Sequence, residues 1–345
     1  MFYCTYFENP RSPLAGSNGW ALFVVLNGRA SSRQVGGRNI LNCFASALPK
    51  MELAFTTLDV FTKTRYMGNP VAIVQVPAVS KTHLTQAQKQ AIAWEFSLSE
   101  IVFMHLPPAG STFNEIIIDI FASKAELPFA GHPTIGSAAY LRSLQGKKTS
   151  TIVTKAGRIP IKLDEDTGEV KAVVPQTFHI HAVKYTSELT PQPAETTSIV
   201  NGMSFICVPL PDLETLEKAD RNLHDEHYEP LSLDEGWRNG LLGTMYYVAR
   251  GEDRFGRRRF RTRMFSFRED PGTGSASCAL GCYLAGKIPA SEGKGPFQFA
   301  FEQGVEMCRR NEISVEVIRG DGGEGIEKVV LSGRAVKVME GNLIV

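Results

Sequence analysis

The sequence has little cysteine, no long apolar run and almost no net charge. Its six cysteines form no CxxC pair and no zinc-ligand spacing with histidine, so they predict neither a disulfide framework nor a metal site. None of its apolar runs approaches the ~20 residues that cross a bilayer, so no membrane partner is expected. A formal charge of +1 over 345 residues gives no field that would attract nucleic acid. These absences favour a globular protein of a reducing compartment.

Acidic residues are nearly missing from residues 1–50, where Glu8 is the only one. The apolar run "WALFVVL" is short and follows no cationic stretch, which argues against a secretory signal. The arginines and the lack of acids also fit a mitochondrial leader. We therefore predict a poorly ordered extension or leader at 1–50 and a cytoplasmic protein, with mitochondrial import as the alternative.

From Met51 onward the pattern is one of short alternating strands with few helices. Helical spacing is seen at 85–96 and 212–223, and each half of the chain also contains one helix of small residues. Two such halves of about 150 residues each predict a duplicated α+β unit. Because small side chains let neighbouring backbone come close, we expect a curved sheet to wrap around each small-residue helix.

A turn is repeated at the start of these two helices. "HPTIGSA" begins at His132 and "DPGTGSA" begins at Asp270, so one copy starts with an imidazole and the other with a carboxylate. Free backbone N–H groups and the helix dipole favour an anion at such a terminus. Gly136 and Gly274 would leave the approach open. If the halves pair about a two-fold axis, His132 and Asp270 face each other across a small carboxylate. The plainer alternative is that Asp270 caps a helix and His132 occupies a turn.

Five segments in this order resemble the phenazine-biosynthesis isomerase (PhzF-like) family, which has the diaminopimelate-epimerase-like fold. They span nearly all of 51–345 and are "DVFTKTRYMGNPVAIV" (59–74), "FSLSEIVF" (96–103), "FASKAELPFAGHPTIGSA" (121–138), "EDPGTGSA" (269–276) and "EQGVEMCR" (302–309). The resemblance implies an α+β fold of two pseudo-symmetric lobes, each a curved, mixed and mostly antiparallel sheet around a central helix. We expect the first lobe at 51–178 plus about 333–345, and the second at 179–332.

The resemblance also implies a cofactor-independent isomerase acting on a small anionic substrate, and a homodimer. The glutamate of the "SE" step is the family's proton shuttle, which assigns that role to Glu100, with His132 and Asp270 completing the catalytic set. Asn69 of "GNP" either orients the ligand or forms a turn before a proline. The residues expected to bind substrate are Asn69, Gly131, Gly136, Gly274 and Ser275.

Two other classes of function remain open. Racemases of this fold use a cysteine pair at the heads of these helices, whereas this chain has His132 and Asp270 there, so an epimerase would need other bases. Cys278 and Cys282 have i, i+4 helical spacing, which favours buried packing. A binding protein that has kept the fold without turnover is the third hypothesis.

The arginine-rich stretch 254–263 is expected to form a solvated strand face. Either Arg263 or Arg268 would then add positive potential near the ligand.

Overall fold

The computed structural model describes residues 51–345 except 82, 109, 112, 145–147 and 225–229. The predicted extension at 1–50 lies outside the described residues. Within them, eighteen strands and four α-helices form. The helices are α1 (Gln86–Phe96), α2 (Gly131–Ala139), α3 (Leu213–Glu217) and α4 (Gly274–Lys287). The strands are β1 (Glu52–Val60), β2 (Asn69–Val76), β3 (Glu100–His105), β4 (Glu115–Ala122), β5 (Glu126–Leu127), β6 (Thr151–Thr154), β7 (Gly157–Asp164), β8 (Glu169–Val173), β9 (His179–Ser187), β10 (Thr190–Val200), β11 (Met203–Pro209), β12 (Leu241–Glu252), β13 (Arg258–Phe265), β14 (Glu269–Asp270), β15 (Phe297–Gln303), β16 (Asn311–Arg319), β17 (Ile326–Gly333) and β18 (Ala335–Ile344).

Strand pairing in the first half of the described chain recurs in the second half. Strands β1 to β4 pair in sequence, with β2–β3 parallel and the other two pairs antiparallel, and β10 to β13 repeat this pattern. A parallel β4–β6 pair has its counterpart in β13–β15, and the short strands β5 and β14 fold back onto β4 and β13. The predicted α+β class is confirmed, with a sheet that mixes parallel and antiparallel pairs.

The ends of the two halves are exchanged in the sheet. The last strand, β18, pairs antiparallel with β1, while β9 pairs antiparallel with β10. Strands β8 and β17 pair with each other and so join the halves. The boundaries of the two lobes, 51–178 with 333–345 and 179–332, stay a prediction.

Both small-residue helices lie inside the molecule. All nine residues of α2 are buried, as are ten of the fourteen residues of α4. Their small side chains allow close packing, since a Cβ on Gly281 of α4 would lie only 3.0 Å from Val315 Cγ1. Helix and strand side chains from both halves share one hydrophobic core. Among the described helices, none combines the length and the apolar character needed to cross a membrane.

The helix predicted at 212–223 is much shorter in the structure, ending at Glu217. Asp212 caps its first turn as an Asp at an N-cap should, accepting from the backbone N–H of Thr215 at 2.8 Å. Beyond the helix, contacts with β12 replace helical hydrogen bonds. The Asn222 side chain donates to the carbonyl of Leu242, and the backbone N–H of Leu223 donates to Thr244 Oγ1. Tertiary hydrogen bonds therefore overrode the local helical spacing.

Candidate active site

The amino-terminal ends of α2 and α4 meet in the interior. A Cβ on Gly131 would lie 2.5 Å from the Cα of Gly274 and 2.7 Å from the backbone N of Ser275. Only glycine at this contact lets the two helix ends come so close. Their unpaired N–H groups and dipoles therefore combine to favour a negative charge at one place. His132 is the second residue of α2 rather than the residue before it, and Asp270 belongs to β14.

Asn69, the first residue of β2, links the groups predicted for the site. Its fully buried side chain donates from Nδ2 to Asp270 Oδ1 at 2.8 Å and to the carbonyl of Gly272 at 2.9 Å. The same nitrogen lies 3.3 Å from His132 Nδ1, and Asn69 Oδ1 accepts from Ser99 Oγ at 3.3 Å. An amide nitrogen has two protons, so the two oxygen acceptors take both at the shorter distances. Asn69 thus orients Asp270 and borders His132.

Glu100 is the first residue of β3, and its side chain is 15% exposed. Its Oε2 lies 3.6 Å from His132 Nδ1, which is longer than a hydrogen bond. That oxygen is buried and has no hydrogen-bond partner among the described residues. A carboxyl oxygen in this situation is available to a bound ligand.

Burial sets the protonation of the three titratable groups. Desolvation, followed by the negative charge of Asp270, raises the pKa of Glu100 to about 8. Desolvation also raises the pKa of Asp270, although hydrogen bonds from Thr273 and Asn69 act in the opposite direction. Burial lowers the pKa of His132 to about 3, so its imidazole is neutral at physiological pH. Because Asp270 accepts two side-chain hydrogen bonds, the negative charge of the carboxyl pair resides there and the proton on Glu100.

A small cavity of about 30 Å³ lies at this junction. Its walls come from both halves of the chain, and the predicted site residues among them are Glu100, Gly131, His132, Asp270, Gly274 and Ser275. Asn69 lies behind this wall and acts through its hydrogen bonds. The structure does not bring Gly136 into the group, since a Cβ there would meet Val71 Cγ1 at 2.8 Å. Gly136 allows α2 to pack against β2.

The sequence did not single out Ser99, Thr273 and Gln303, which support the site. Thr273, rather than Asp270, is the N-cap residue of α4, and its Oγ1 donates to Asp270 Oδ2 at 2.5 Å. Gln303 Nε2 donates to the backbone carbonyl of Asp270 at 2.7 Å, and its Oε1 accepts from the backbone N–H of Thr273 at 3.0 Å. The sequence marked them only by where they stand: Ser99 in the "SE" step, Thr273 in the repeated turn and Gln303 in the "EQG" segment.

Of the two arginines considered, Arg268 lies at the cavity wall. Its charge acts to lower the pKa of both Glu100 and Asp270. Arg263 instead pairs with Glu269 through two hydrogen bonds of 2.7 and 2.8 Å. A larger cavity of about 410 Å³, lined by other arginines of the 254–263 stretch and by acidic residues, contains none of the predicted site residues.

The two cysteines of α4 lie away from the cavity wall. Cys278 and Cys282 are completely buried, and burial raises the pKa of both thiols above the ordinary range. A thiol with a raised pKa is a poor nucleophile and a poor base near neutral pH. Their packing role, expected from the i, i+4 spacing, agrees with this burial.

Fold and site together describe a duplicated α+β protein with a buried acid–base cluster where two helix termini meet. The chain belongs to the phenazine biosynthesis-like protein family (PhzC-PhzF), whose sequence profile matches residues 58–341. This confirms the resemblance noted in the sequence.

Named relatives extend the comparison. The trans-2,3-dihydro-3-hydroxyanthranilate isomerase of Pseudomonas fluorescens is 29% identical, over 84% of this chain and 99% of its own length. An uncharacterized isomerase of Mesorhizobium japonicum is also 29% identical, over 83% of this chain and 97% of its own. The crystal structure of a PhzF-family protein of Bacillus anthracis superimposes with a TM-score of 0.63 and 24% identity, covering 86% of this chain and 100% of that one. Both of these relatives are named isomerases, and the structural match shows the shared fold.

Proposed function

We propose that the protein is a cofactor-independent isomerase that moves a proton on a small carboxylic acid, with Glu100 as the proton shuttle. The observation that carries this proposal is the carboxyl group of Glu100, whose pKa is raised to about 8 and whose Oε2 is buried without a hydrogen-bond partner among the described residues. General acid–base groups work best when their pKa lies near the working pH. An unsaturated acid is the favoured substrate class, because conjugation acidifies the carbon that gives up its proton.

The reaction needs no net gain or loss of atoms. The substrate carboxylate lies near the helix termini of Gly131 and Gly274 and near Arg268. Glu100 acts in its ionised form, which becomes populated as the pH approaches its pKa of about 8. It takes a proton from carbon as the C–H bond breaks, and the electron pair moves into the conjugated system. Glu100 then returns this proton to a carbon further along, where a new C–H bond forms. Asp270 and the neutral His132 hydrogen-bond the substrate and move protons on its heteroatoms.

Deuterium incorporation tests the proposal. The full chain is incubated in D₂O with a panel of small unsaturated carboxylic and amino acids, including trans-2,3-dihydro-3-hydroxyanthranilate, and the products are analysed by mass spectrometry. We expect deuterium uptake or an isomer shift that disappears in Glu100→Gln. The matched control is Glu126→Gln, because Glu126 has a similarly buried side chain but pairs with Lys155 outside the cavity wall. Equal turnover in wild type and Glu100→Gln would overturn the role of Glu100.

An epimerase or racemase with non-cysteine bases is the second candidate. Glu100 and Asp270 both line the cavity, so two carboxyl groups are available to act at one carbon. Exchange at the α-carbon of an amino acid with inversion of configuration, followed by chiral chromatography, would favour this candidate over the isomerase.

A binding protein without turnover is the third candidate. Saturable binding of a panel compound, without exchange or inversion, would support it.

The homodimer and the cytoplasmic location rest on the resemblance and on composition. Light scattering of the purified chain and fractionation of cells test them.

A further inference from the structure

A second group of titratable side chains lies outside the acid–base cavity. His179 and His181 belong to β9, two positions apart, so both side chains leave the same face of the strand. Asp234 follows 55 residues after His179 and lies beside them. None of the three residues lines the acid–base cavity.

The distances suit a single metal ion. His179 Nε2 lies 2.8 Å and His181 Nδ1 lies 3.6 Å from Asp234 Oδ2, and one ligand atom of each residue lies within 4.8 Å of the others. Ligands bound tetrahedrally to zinc at 2.0–2.1 Å are about 3.4 Å apart. The first two distances lie on either side of this value. Side-chain movements on the order of 1 Å would bring the three atoms to this spacing.

Hydrogen bonds around the cluster hold these atoms towards one another. His181 Nε2 contacts Ser198 Oγ at 2.8 Å, while His181 Nδ1 accepts from the backbone N–H of Asp234 at 3.4 Å. The Nδ1 atom that faces Asp234 therefore carries a lone pair, which a metal ion would take over from this long hydrogen bond. The Oδ1 atom of Asp234 accepts from the backbone N–H of Ala182 at 3.2 Å, which leaves Oδ2 on the histidine side. Such contacts to ligand side chains are typical of metal sites.

Exposure differs among the three residues. The His181 side chain is fully buried, whereas those of His179 and Asp234 are 36% and 32% exposed. Solvent can therefore reach the cluster and supply the remaining ligand. The indole of Trp237 stacks on the His179 ring, with ring centroids 4.8 Å apart and an interplanar angle of 9°. This stacking fixes the orientation of the imidazole and places a fluorophore beside the site.

We propose that His179, His181 and Asp234 bind one divalent transition-metal ion of the zinc and copper class, with water completing the coordination. Two imidazoles and one carboxylate suit these ions, whereas calcium and magnesium require mainly oxygen ligands. The ion would replace the direct contact between His179 and Asp234 and would link β9 to the segment that follows Pro230. Such a link stabilises the fold because it closes a long stretch of chain. The sequence predicted no metal site, because Asp234 lies 55 residues after His179 and only the fold brings them together.

Zinc binding to the full chain is the first test. Metal-free protein, in which the exposed Cys308 is replaced by Ser in every variant, is titrated with Zn²⁺ by calorimetry. We expect the parent to bind one Zn²⁺ ion per chain. Both His179→Gln and Asp234→Asn should lose this ion or bind it at least tenfold more weakly. The control His83→Ala removes an exposed histidine elsewhere and should leave the ion in place. Circular dichroism without metal verifies that the variants fold. Retention of the ion in either site variant, or no stoichiometric ion in the parent, overturns the proposal.

Fluorescence locates the bound ion independently of affinity. Cu²⁺ is a paramagnetic quencher, so binding beside Trp237 should quench tryptophan emission with a one-to-one end point. The quenching step should disappear in Trp237→Phe and persist in Trp94→Phe, whose indole is exposed on α1. An unchanged quenching step in Trp237→Phe would place the ion elsewhere and overturn the assignment. Neither test depends on isomerase activity, so the two proposals can fail separately.

Discussion

At the scale of single residues, the raised pKa of Glu100 predicts a pH-dependent stability. In the unfolded chain a glutamate ionises near its ordinary pKa of 4.5, whereas folded Glu100 keeps its proton up to about pH 8. Between these values unfolding releases a proton, so this group lowers the free energy of unfolding as pH rises. Glu100→Gln removes the penalty. We expect the variant to be more stable than wild type at pH 8.5, on the order of 2 kcal/mol, with little difference at pH 4.

Urea denaturation of both proteins at pH 4 and pH 8.5 measures this difference. Glu126→Gln is again the control and should show no comparable gain at high pH. A Glu100→Gln variant that gains no stability between the two pH values would mean that Glu100 ionises normally in the folded protein.

Asn69 provides a second prediction at this scale. Replacement by Ala removes the hydrogen bonds to Asp270 Oδ1 and to the carbonyl of Gly272 and leaves both acceptors buried. We expect a loss of roughly 1–3 kcal/mol in stability. The pKa of Asp270 should rise further, since this hydrogen bond lowers it. If a substrate is found, turnover should fall about tenfold or more. Asn201→Ala, which removes an exposed hydrogen bond to Gly236, is the control. An unchanged melting temperature would contradict the role of Asn69.

The site residues illustrate what sequence could and could not give. His132 and Asp270 stand out because a repeated turn begins with a different acid–base group in each copy. Glu100 has no such local signal and emerged only through resemblance to a family. Ser99 and Gln303 were missed because their importance lies in contacts with distant residues, and a serine or glutamine alone carries no sign of those contacts. The three proposed metal ligands were missed for the same reason.

At the scale of helices and strands, the contact between α2 and α4 predicts an unusual sensitivity to one methyl group. A Cβ on Gly131 would meet the backbone of Gly274 at 2.5 Å, and backbone cannot rotate away as a side chain can. Gly131→Ala should therefore force the helix ends apart and destabilise the protein by roughly 3 kcal/mol. Gly286→Ala is the matched control, because it lies on α4 with nothing within 4 Å of the added Cβ. It should be neutral or stabilising by up to about 1 kcal/mol. Similar denaturation curves for the two variants would contradict the close contact.

The strand β16 was predictable because its alternation of apolar and polar residues reflects one buried face, and its residues alternate between buried and more exposed along its length. Strands β11 and β12 instead are buried over most of their length. The helix α1 was predictable from its cap. The Thr85 side chain accepts from the backbone N–H of Gln88, and the backbone N–H of Thr85 donates to the Gln88 side chain. The length of α3 was not predictable from local sequence, since Asn222 and Leu223 make hydrogen bonds to β12 instead of continuing the helix. Local signals thus predicted where elements begin better than where tertiary contacts stop them.

At the scale of the whole molecule, the exchange of terminal strands ties the carboxyl terminus to the acid–base site. Strand β18 pairs with β1 from Glu52–Ile344 to Val60–Ala335, and β1 pairs on its other edge with β2, which begins with Asn69. Nearby, Asp59 of β1 forms an ion pair with Arg309, with 2.6 Å between Asp59 Oδ1 and the guanidinium nitrogen. The last strand therefore covers the edge of the strand next to the site.

A chain that ends at Arg334 tests this coupling. Without β18 the edge of β1 is exposed, and the buried side chains beneath it lose cover. We expect a loss of stability on the order of 3 kcal/mol or more, together with loss of any activity found for the full chain. A peptide of residues 335–345 added in trans should restore both by pairing with β1. The control peptide carries prolines at Glu340 and Gly341. Neighbouring residues of a strand direct their N–H groups to opposite edges, so one of these prolines removes a bond to β1. Equal rescue by both peptides, or a truncated chain as stable as the full one, would show that β18 is dispensable to the fold.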